Sequence, residues 1–423
     1  MAEYSAKNPY SSQMIENTLL NGEGATKETR HFVFTLPKKG LDYKVGDALG
    51  IIPENPPITV EALLECTGWD GDMEIASHAG NKTLREALKC DYEIHRVNKK
   101  FVNSIAEKLA DQGPTSKARI VSRKRTSITT GDAKTWSWSG DSGDWPEGYR
   151  PGSSGAGSAS KATHLSEDAD AMEDYIWSRD YIDVINEFGL LHEPEELLSL
   201  ADKLKPRLYS IASSMDAHPG EVQLTIAIVR YEHHERQRGG LCTVYLADEA
   251  EVDSTPVKIF MSPTKSFVLP EDKSTDIIMV GPGTGIAPFR AFLEQREHDK
   301  AEGRNWLFFG DQSHKTEYYY SEQIEGWLEN DTLYRYTTAW SRDQAEKIYV
   351  QHRMAEHGAE IWEWLDSGAY FYVCGDKNYM AKDVHRTLIE IAQEHGGMTL
   401  DDATHFIEKT MMREEKRYLR DVY

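Results

Sequence analysis

One segment, residues 277–290, limits the folds open to this chain more than any other. It contains an apolar run, IIMV, then a glycine-rich turn, GPGTG, and then a helix-compatible stretch with Pro288 in its first turn. This order is typical of a buried strand whose following turn and helix N-terminus hold a dinucleotide pyrophosphate. The spacing is neither G-x-G-x-x-G nor that of a Walker loop, because no Gly-Lys-Ser/Thr follows. From these residues alone, a tight structural turn is the competing interpretation.

The sequence after Pro270 alternates apolar strand candidates with helix-compatible stretches. The candidates are residues 277–280, 306–309, 333–337 and 370–373. Such alternation predicts a doubly wound parallel sheet that binds a ligand at the carboxyl ends of its strands.

The N-terminal part has a different pattern. Alternating apolar and polar residues, broken by Gly, Pro and Lys, predict antiparallel strands at 31–36, 47–52, 207–212, 222–231 and 257–261. Between the second and third of these, apolar residues recur at helical spacing, as in Val60, Leu63 and Leu64. The same spacing predicts helices around 84–88, 101–109, 175–188 and 195–204.

We therefore predict an α+β chain of several domains. Residues 1–272 are expected to form an antiparallel β-barrel domain with a helical insertion at about 58–204, and residues 273–423 a doubly wound α/β domain. Residues 125–170, rich in Gly, Ser, Asp and Trp, are predicted to form a flexible surface loop.

Charge and composition exclude several classes of partner. The 423 residues include 70 acidic and 48 basic ones, for a net charge of -22, which argues against nucleic acid and anionic membranes as partners. The N-terminus lacks a signal-peptide pattern and no run of about 18 apolar residues occurs, so a cytoplasmic protein is expected. The four cysteines have no C-x-x-C spacing, so no metal is expected, and any metal or haem centre would belong to a partner.

A first group of candidate ligand residues lies at 207–210. Side chains alternate along a strand, so Arg207 and Tyr209 are expected on one face, where an Arg fork grips a pyrophosphate and a Tyr ring lies against a flat heterocycle. Ser210 then reaches the edge of that ring. An ordinary surface pair of Arg and Tyr is the competing interpretation.

Three more groups fit the same kind of ligand. Gly240 and the residues up to Thr243 are typical of a phosphate-binding helix start, although a capped helix start is the competing interpretation. The cluster between Ser341 and Gln351 has the cations and hydroxyls that suit a ribose 2′-phosphate, against a solvated helix start. Cys374, at a strand end, and the terminal Tyr423 are interpreted as nicotinamide and flavin neighbours, against a buried small hydrophobe and a frayed end.

Taken in order, these motifs resemble the ferredoxin–NADP reductase superfamily, and within it the flavoprotein (alpha) subunits of NADPH–sulfite reductase. The similarity covers nearly the whole chain. It is carried by residues 46–50, 207–214, 281–290, 306–310, 339–344 and 420–423.

The resemblance implies a role for individual residues. FAD would be bound by Arg207, Tyr209, Ser210, Thr225, Ala227, Gly240, Leu241, Cys242, Thr243 and Tyr423. NADPH would be bound by Gly283, Thr284, Ser341, Arg342, Lys347, Tyr349, Gln351 and Asp383. The catalytic set for hydride transfer would be Ser210, Cys374 and Asp421, with Tyr423 covering the isoalloxazine until nicotinamide displaces it.

The resemblance also implies an activity. The chain would take hydride from NADPH onto FAD and deliver electrons singly to a partner, the sirohaem hemoprotein that reduces sulfite to sulfide. Because barrel sequence begins within the first twenty residues, no FMN domain is expected in this chain, and the 125–170 loop has no counterpart in the family. Two alternatives stay open: a stand-alone NADPH:ferredoxin or flavodoxin reductase, and a catalytically inert nucleotide-binding protein.

Overall fold

The computed structural model describes residues 4–112, 156–234 and 236–423. They form two compact units, one made of Met1–Ile51, Arg207–Ile228 and Ala250–Tyr423, the other of Ile52–Pro206 and Val229–Glu249. The division expected at residue 272 rests on sequence pattern, and it stays a prediction.

The strands are numbered in chain order. They are β1 (Tyr10–Leu19), β2 (Thr29–Thr35), β3 (Ala48–Ile52), β4 (Glu74–Ser77), β5 (Gly80–Thr83), β6 (Arg207–Ser210), β7 (Glu221–Ala227), β8 (Arg230–His233), β9 (Arg236–Gly239), β10 (Pro256–Ser262), β11 (Ile277–Val280), β12 (Asn305–Asp311), β13 (Arg335–Trp340), β14 (Tyr370–Gly375) and β15 (Tyr418–Val422).

The helices are numbered in the same way. They are α1 (Pro57–Thr67), α2 (Leu84–Cys90), α3 (Lys99–Gln112), α4 (Ala156–Glu167), α5 (Ala169–Trp177), α6 (Tyr181–Phe188), α7 (Pro194–Leu200), α8 (Leu241–Val244), α9 (Ala287–His298), α10 (His314–Glu317), α11 (Ser321–Glu329), α12 (Val350–Glu356), α13 (Gly358–Asp366), α14 (Met380–Gly396) and α15 (Leu400–His405). A 3₁₀ turn at Gly283–Ile286 leads into α9, and π-helical segments, Tyr245–Glu249 and Phe406–Glu414, continue α8 and α15.

The first unit contains a six-stranded sheet in the order β6-β3-β10-β1-β2-β7. The pairs of β1 with β10 and β2, of β2 with β7 and of β3 with β6 are antiparallel. The strands predicted in this region are confirmed, except that the 222–231 segment is two strands: β7 ends at Ala227, and β8 pairs with β9 as a separate hairpin.

The same unit contains a five-stranded sheet, β13-β12-β11-β14-β15, whose pairs are all parallel. Its central strands are apolar on both faces: Ile278 and Val280 pack with α12–α14, whereas Ile277 and Met279 pack with α9 and α11. The predicted parallel sheet is confirmed, and β15 is a strand that the sequence pattern did not indicate. Strand order reverses between β11 and β14, which makes the turn after β11 the topological switch point.

The second unit is built mainly from helices α1–α7. The predicted helical spacing is confirmed, since Val60, Leu63, Leu84 and Phe101 are all buried in its core. The helix predicted over 175–188 is two helices, because the Asp180 side chain caps α6 through the amide of residue 183.

The loop predicted over 125–170 lies outside the described residues up to residue 155. From Ala156 onward that prediction is wrong, because the chain forms α4 and α5. Ala162 and Leu165, three residues apart, are buried in the core of the second unit, and this contact outweighs the Gly- and Ser-rich composition on which the prediction rested. Across the described ranges, no helix has the length and apolar character that crossing a bilayer requires.

Candidate active site

The glycine-rich turn at the switch point is shaped by the strands around it. A Cβ added to Gly285 would lie 2.2 Å from the carbonyl oxygen of Cys374, so the turn packs directly on β14. Gly283 has φ +58°, and a Cβ there would meet within 4 Å only the Asp311 Oδ2 atom, at 3.6 Å. The backbone at Gly283 is therefore open to close approach, and these residues fit a dinucleotide pyrophosphate.

Three predicted catalytic residues meet beside this turn. Ser210, the last residue of β6, donates a 2.5 Å hydrogen bond from Oγ to Oδ2 of Asp421. Asp421 lies on β15 directly opposite Cys374 of β14, and the Cys374 Sγ lies 3.9 Å from the same oxygen. One carboxylate oxygen thus joins the antiparallel sheet to the parallel sheet, although 211 residues separate Ser210 from Asp421.

Cys374 is a neutral group at this position. Its side chain is fully buried, and burial, followed by the negative charge of Asp421, raises the pKa of the thiol well above its usual value. The thiol therefore stays protonated at neutral pH. It can pack and hydrogen-bond beside a ligand, but it is not an activated nucleophile.

The terminal residue is held at both its backbone and its side chain. The Tyr423 amide donates to the Gly375 carbonyl at 3.2 Å, and the Tyr423 carbonyl accepts from the Lys377 amide at 3.1 Å. The Tyr423 hydroxyl lies 2.9 Å from Oγ1 of Thr284, while the residue as a whole is 63% exposed. The predicted flavin guard and a predicted NADPH ligand are therefore in contact, and the terminal Tyr is not frayed.

The other predicted FAD residues of this unit lie on β6 and β7. Arg207 and Tyr209 are half-buried, whereas Leu208 between them is exposed, as alternation along a strand requires. Thr225 is buried and its hydroxyl lies 2.6 Å from the Tyr320 hydroxyl, while Ala227, two residues on, is exposed. The Thr225 hydroxyl is therefore engaged within the protein.

The glycine pair of the second unit begins helix α8. Thr243 donates from its hydroxyl to the Gly240 carbonyl at 3.0 Å and accepts from the Val229 amide at 3.2 Å. The side chains of Leu241 and Cys242 are buried, so only the backbone of these residues is available for a ligand role. The phosphate contact predicted here stays a prediction.

The predicted 2′-phosphate residues follow β13 at the carboxyl edge of the parallel sheet. The Ser341 amide donates to the backbone carbonyl of Asp311, and the Arg342 amide donates to the backbone carbonyl of Gln312. These two bonds fix the start of the loop beside β12. Arg342 and Lys347 are exposed, and neither forms an ion pair with any carboxylate of the described residues. Two exposed cations with no carboxylate partner among the described residues, in a chain of net charge -22, have the chemistry that a phosphate ligand requires.

Asp343, one of two acids in this loop, is directed toward the segment after β12. The Asp343 carboxylate accepts a 2.8 Å hydrogen bond from the His314 amide. Hydrogen bonds from the Ser313 side chain and the His314 amide lower the pKa of Asp343.

Gln351 and Asp383 are also brought together. Gln351 Nε2 donates to Oδ2 of Asp383 at 3.3 Å, and the other oxygen of that carboxylate accepts from Arg386 at 2.8 Å. Tyr349, 42% exposed, precedes α12 as its N-cap residue.

Two charged residues beside the site were missed by the sequence patterns. Asp311, at the end of β12, lies at the carboxyl edge where the parallel-sheet rule places ligands, so its position in the sequence was an available signal. Lys27 forms a 2.7 Å ion pair with Asp311 but lies 284 residues away from it in the chain, so no sequence signal pointed to Lys27. Among the residues that the structure describes, no group of three or more His, Cys, Asp or Glu side chains is arranged to hold a metal ion.

Comparison with known proteins gives a consistent family. The model of an FAD binding domain matches residues 2–122 and 159–245, and the model of an oxidoreductase NAD-binding domain matches residues 279–386. The chain therefore belongs to the flavoprotein oxidoreductases that join an FAD-binding domain to an NAD-binding domain.

Within that class it is similar to the flavoprotein alpha-components of NADPH sulfite reductase. It is 38% identical to the "Sulfite reductase [NADPH] flavoprotein alpha-component" of Bacillus subtilis, over 100% of this chain and 62% of the relative. The proteins of the same name from Vibrio cholerae and Mannheimia succiniciproducens are 36% and 37% identical, over 100% and 99% of this chain and 60% and 62% of their own lengths. The chain thus spans about three fifths of these relatives.

Proposed function

We propose that this chain is an NADPH-dependent FAD flavoprotein reductase, which takes hydride from NADPH and passes electrons onward to a protein partner. The observation that carries the proposal is the joining of Ser210, Cys374 and Asp421 beside the switch-point turn. FAD, when bound, supplies the chemistry of accepting two electrons together and releasing them one at a time.

The three residues have separable roles in this proposal. Asp421 accepts the Ser210 hydrogen bond and so fixes the direction of the Ser210 hydroxyl. Cys374 is neutral and fully buried while Tyr423 is in place, and it would line the nicotinamide position with a polarisable, water-free side chain once the Tyr423 ring is displaced. Together they orient the donor carbon, which is the main contribution that a protein makes to hydride transfer.

Selectivity for NADPH is assigned to the loop after β13. Arg342 and Lys347 would hold the 2′-phosphate with Ser341, and Gly283 and Thr284 would contact the pyrophosphate. Tyr349, Gln351 and Asp383 complete the proposed NADPH set.

The acceptor side of the proposal rests on the relatives' names. They support a partner that is the hemoprotein of sulfite reduction rather than a ferredoxin or a flavodoxin. Closure of the six-stranded sheet into a barrel, the domain limits 1–272 and 273–423, a cytoplasmic location, and the FAD roles of Arg207, Tyr209, Ser210, Thr225, Ala227, Gly240, Leu241, Cys242, Thr243 and Tyr423 belong to the proposal too.

An anaerobic titration tests the donor half. Purified protein is mixed with NADPH or NADH while the flavin absorbance is followed, and the released flavin is then identified as FAD or FMN. We expect one FAD per chain, bleached by NADPH much faster than by NADH. A protein that binds no flavin, or whose flavin NADPH leaves oxidised, contradicts the proposal.

A variant pair ties that activity to the site. Ser210→Ala is expected to slow flavin reduction by about tenfold to hundredfold, because the hydroxyl that orients the reacting ring is lost. Ser11→Ala removes an exposed hydroxyl from β1 of the same sheet and should leave the rate unchanged. Equal rates in the two variants would remove Ser210 from the catalytic set.

The acceptor half needs a separate experiment. The reduced protein is mixed with a sirohaem sulfite reductase hemoprotein, a ferredoxin or a flavodoxin, and sulfide formation or acceptor reduction is measured. Sulfide formed from sulfite only with the hemoprotein supports the proposed partner. Fast reduction of ferredoxin or flavodoxin without sulfide formation favours the stand-alone reductase.

A further inference from the structure

The loop between β1 and β2, residues 20–28, is seated against the carboxyl end of β12. The Gly22 amide donates to the Thr316 carbonyl at 2.9 Å, and the Thr26 hydroxyl donates to Oε1 of Gln312 at 3.0 Å. A Cβ on Gly22 would lie 2.7 Å from the Lys315 carbonyl oxygen, so the two segments are in direct contact. These contacts place Lys27 at the carboxyl edge of the parallel sheet.

Lys27 meets an acid that is nearly buried. Its Nζ atom lies 2.7 Å from Oδ1 of Asp311, and the two side chains are 44% and 2% exposed. The same Oδ1 accepts from the Gln312 amide at 2.8 Å, and Oδ2 accepts from the Tyr319 hydroxyl at 3.3 Å. Lys27 is therefore the cation that balances a carboxylate shielded from water.

That carboxylate lies beside the proposed pyrophosphate site. Asp311 ends β12, the neighbour of β11, and its Oδ2 is the protein atom nearest to a Cβ built on Gly283. An unbalanced negative charge at this position would repel a pyrophosphate, and solvent would screen it poorly because Asp311 is buried.

We propose that Lys27 is a positioning residue for NADPH binding, which cancels the charge of Asp311 beside the pyrophosphate turn. This inference rests on the proposed function, because it takes the turn at Gly283 as the nucleotide site. Lys27 acts through Asp311. Only part of its ammonium is used by that contact, since an ammonium has three donors and the side chain is half-exposed.

Equilibrium binding tests the proposal without relying on turnover. The FAD-loaded protein is titrated with NADP⁺ in a calorimeter, as wild type and as Lys27→Gln, Lys27→Arg and Lys27→Gln/Asp311→Asn. Lys27→Gln should raise the Kd for NADP⁺ about tenfold, the size expected of one uncompensated charge several Å away. Lys27→Arg keeps the charge and should stay close to wild type.

The double variant separates charge from loop structure. Asp311→Asn removes the charge that Lys27 balances, so it should restore the affinity of Lys27→Gln for NADP⁺ to within about threefold of wild type. If the double variant binds as weakly as Lys27→Gln, the position of the loop rather than the charge sets the affinity, and the proposal is overturned. Unchanged affinity in Lys27→Gln overturns it as well.

A smaller probe distinguishes this inference from the proposed function. 2′-AMP carries the 2′-phosphate but no pyrophosphate, so Lys27→Gln should leave its Kd unchanged. Wild-type protein that binds neither 2′-AMP nor NADP⁺ contradicts the proposed function itself. If the wild-type protein binds both 2′-AMP and NADP⁺, and Lys27→Gln weakens the affinity for both equally, only the proposed role of Lys27 is contradicted.

Discussion

At the scale of single residues, the proposed coenzyme preference depends on two exposed cations. Arg342 and Lys347 follow the edge strand β13, and neither is ion-paired within the described ranges. An exposed cation of this kind contributes little to the stability of the fold, but it forms a charge-assisted hydrogen bond when a phosphate binds. Its effect should therefore appear in coenzyme affinity rather than in stability.

Arg342→Ala is expected to raise the KM for NADPH by about tenfold or more and to leave the KM for NADH nearly unchanged, because NADH lacks the 2′-phosphate. Initial rates with both coenzymes, measured with an artificial electron acceptor, check this. Arg413→Ala is the matched control, since Arg413 is an exposed arginine outside the proposed NADPH set. If Arg342→Ala raised the KM for NADPH and for NADH equally, the 2′-phosphate would not be the group that Arg342 binds.

Deletion of Tyr423 tests the terminal guard. The ring is held by its hydroxyl at Thr284 and by the backbone at Gly375, so nicotinamide would have to displace an ordered group. Without the ring this cost disappears, and the use of NADH should improve relative to NADPH. Thr284→Val keeps the ring but loses the hydroxyl contact, and should move the preference in the same direction by less. An unchanged kcat/KM ratio for the two coenzymes would argue against the guard.

At the scale of elements, the switch-point turn depends on the closeness of two strands. A Cβ on Gly285 would clash with the Cys374 carbonyl, so Gly285→Ala should lower the free energy of unfolding by at least about 2 kcal/mol and slow flavin reduction. Gly326→Ala, in α11 with no atom within 4 Å of the added Cβ, should instead stabilise the protein by about 0.5–1 kcal/mol. Urea unfolding of both variants measures these changes. If Gly285→Ala left the free energy of unfolding unchanged, the turn would not need this close contact with β14.

Sequence pattern predicted the regular elements better than their limits. β11 is apolar throughout, and β12 has an apolar run, WLFF, between its polar ends; both patterns are local, so the positions of these strands were predictable. β15 was not, because its residues, YLRDV, include two charges and become a strand only by pairing with β14. Likewise α4 depends on the burial of Ala162 and Leu165 in a core that local composition does not show.

The site shows the same division between local and distant information. The glycine turn and the cations at Arg342 and Lys347 could be predicted because each motif is continuous in sequence. That Ser210 and Asp421 meet was implied by the family resemblance, because no local pattern links residues so far apart. Neither a local motif nor the family resemblance predicted the ion pair of Lys27 with Asp311, because this pair depends on how the loop of residues 20–28 packs on the end of β12.

At the scale of the whole molecule, a buried polar cluster ties the antiparallel sheet to helix α9. Arg290 of α9 donates to the Ala212 carbonyl at 2.5 Å and forms a 2.9 Å ion pair with Glu294, which in turn accepts from the Ser214 amide at 2.8 Å. Ala212 and Ser214 follow Ser210 by two and four residues. The cluster therefore holds the segment after Ser210 against the helix that follows the glycine-rich turn.

His31 of β2 lies close to this cluster and makes stability depend on pH. Its Nδ1 atom lies 3.0 Å from the Tyr320 hydroxyl, and burial, followed by the positive charge of Arg290, lowers the pKa of His31 to about 3. An unfolded chain takes up this proton near the ordinary value of 6.5, whereas the folded chain does not until about 3. The contribution is thus complete above that ordinary value and is lost steadily as the pH falls below it.

The free energy of unfolding should therefore fall by about 2 kcal/mol between pH 7 and pH 5 on account of His31 alone, before most carboxylates titrate. His31→Asn, whose side-chain oxygen can still accept from Tyr320, should remove that part of the slope even if it lowers stability at neutral pH. His405→Asn, an exposed position on α15, is the matched control and should leave the slope as in wild type. Urea unfolding at a series of pH values measures the slope. If His31→Asn and wild type lose stability in parallel, the buried histidine is not the source of the acid sensitivity.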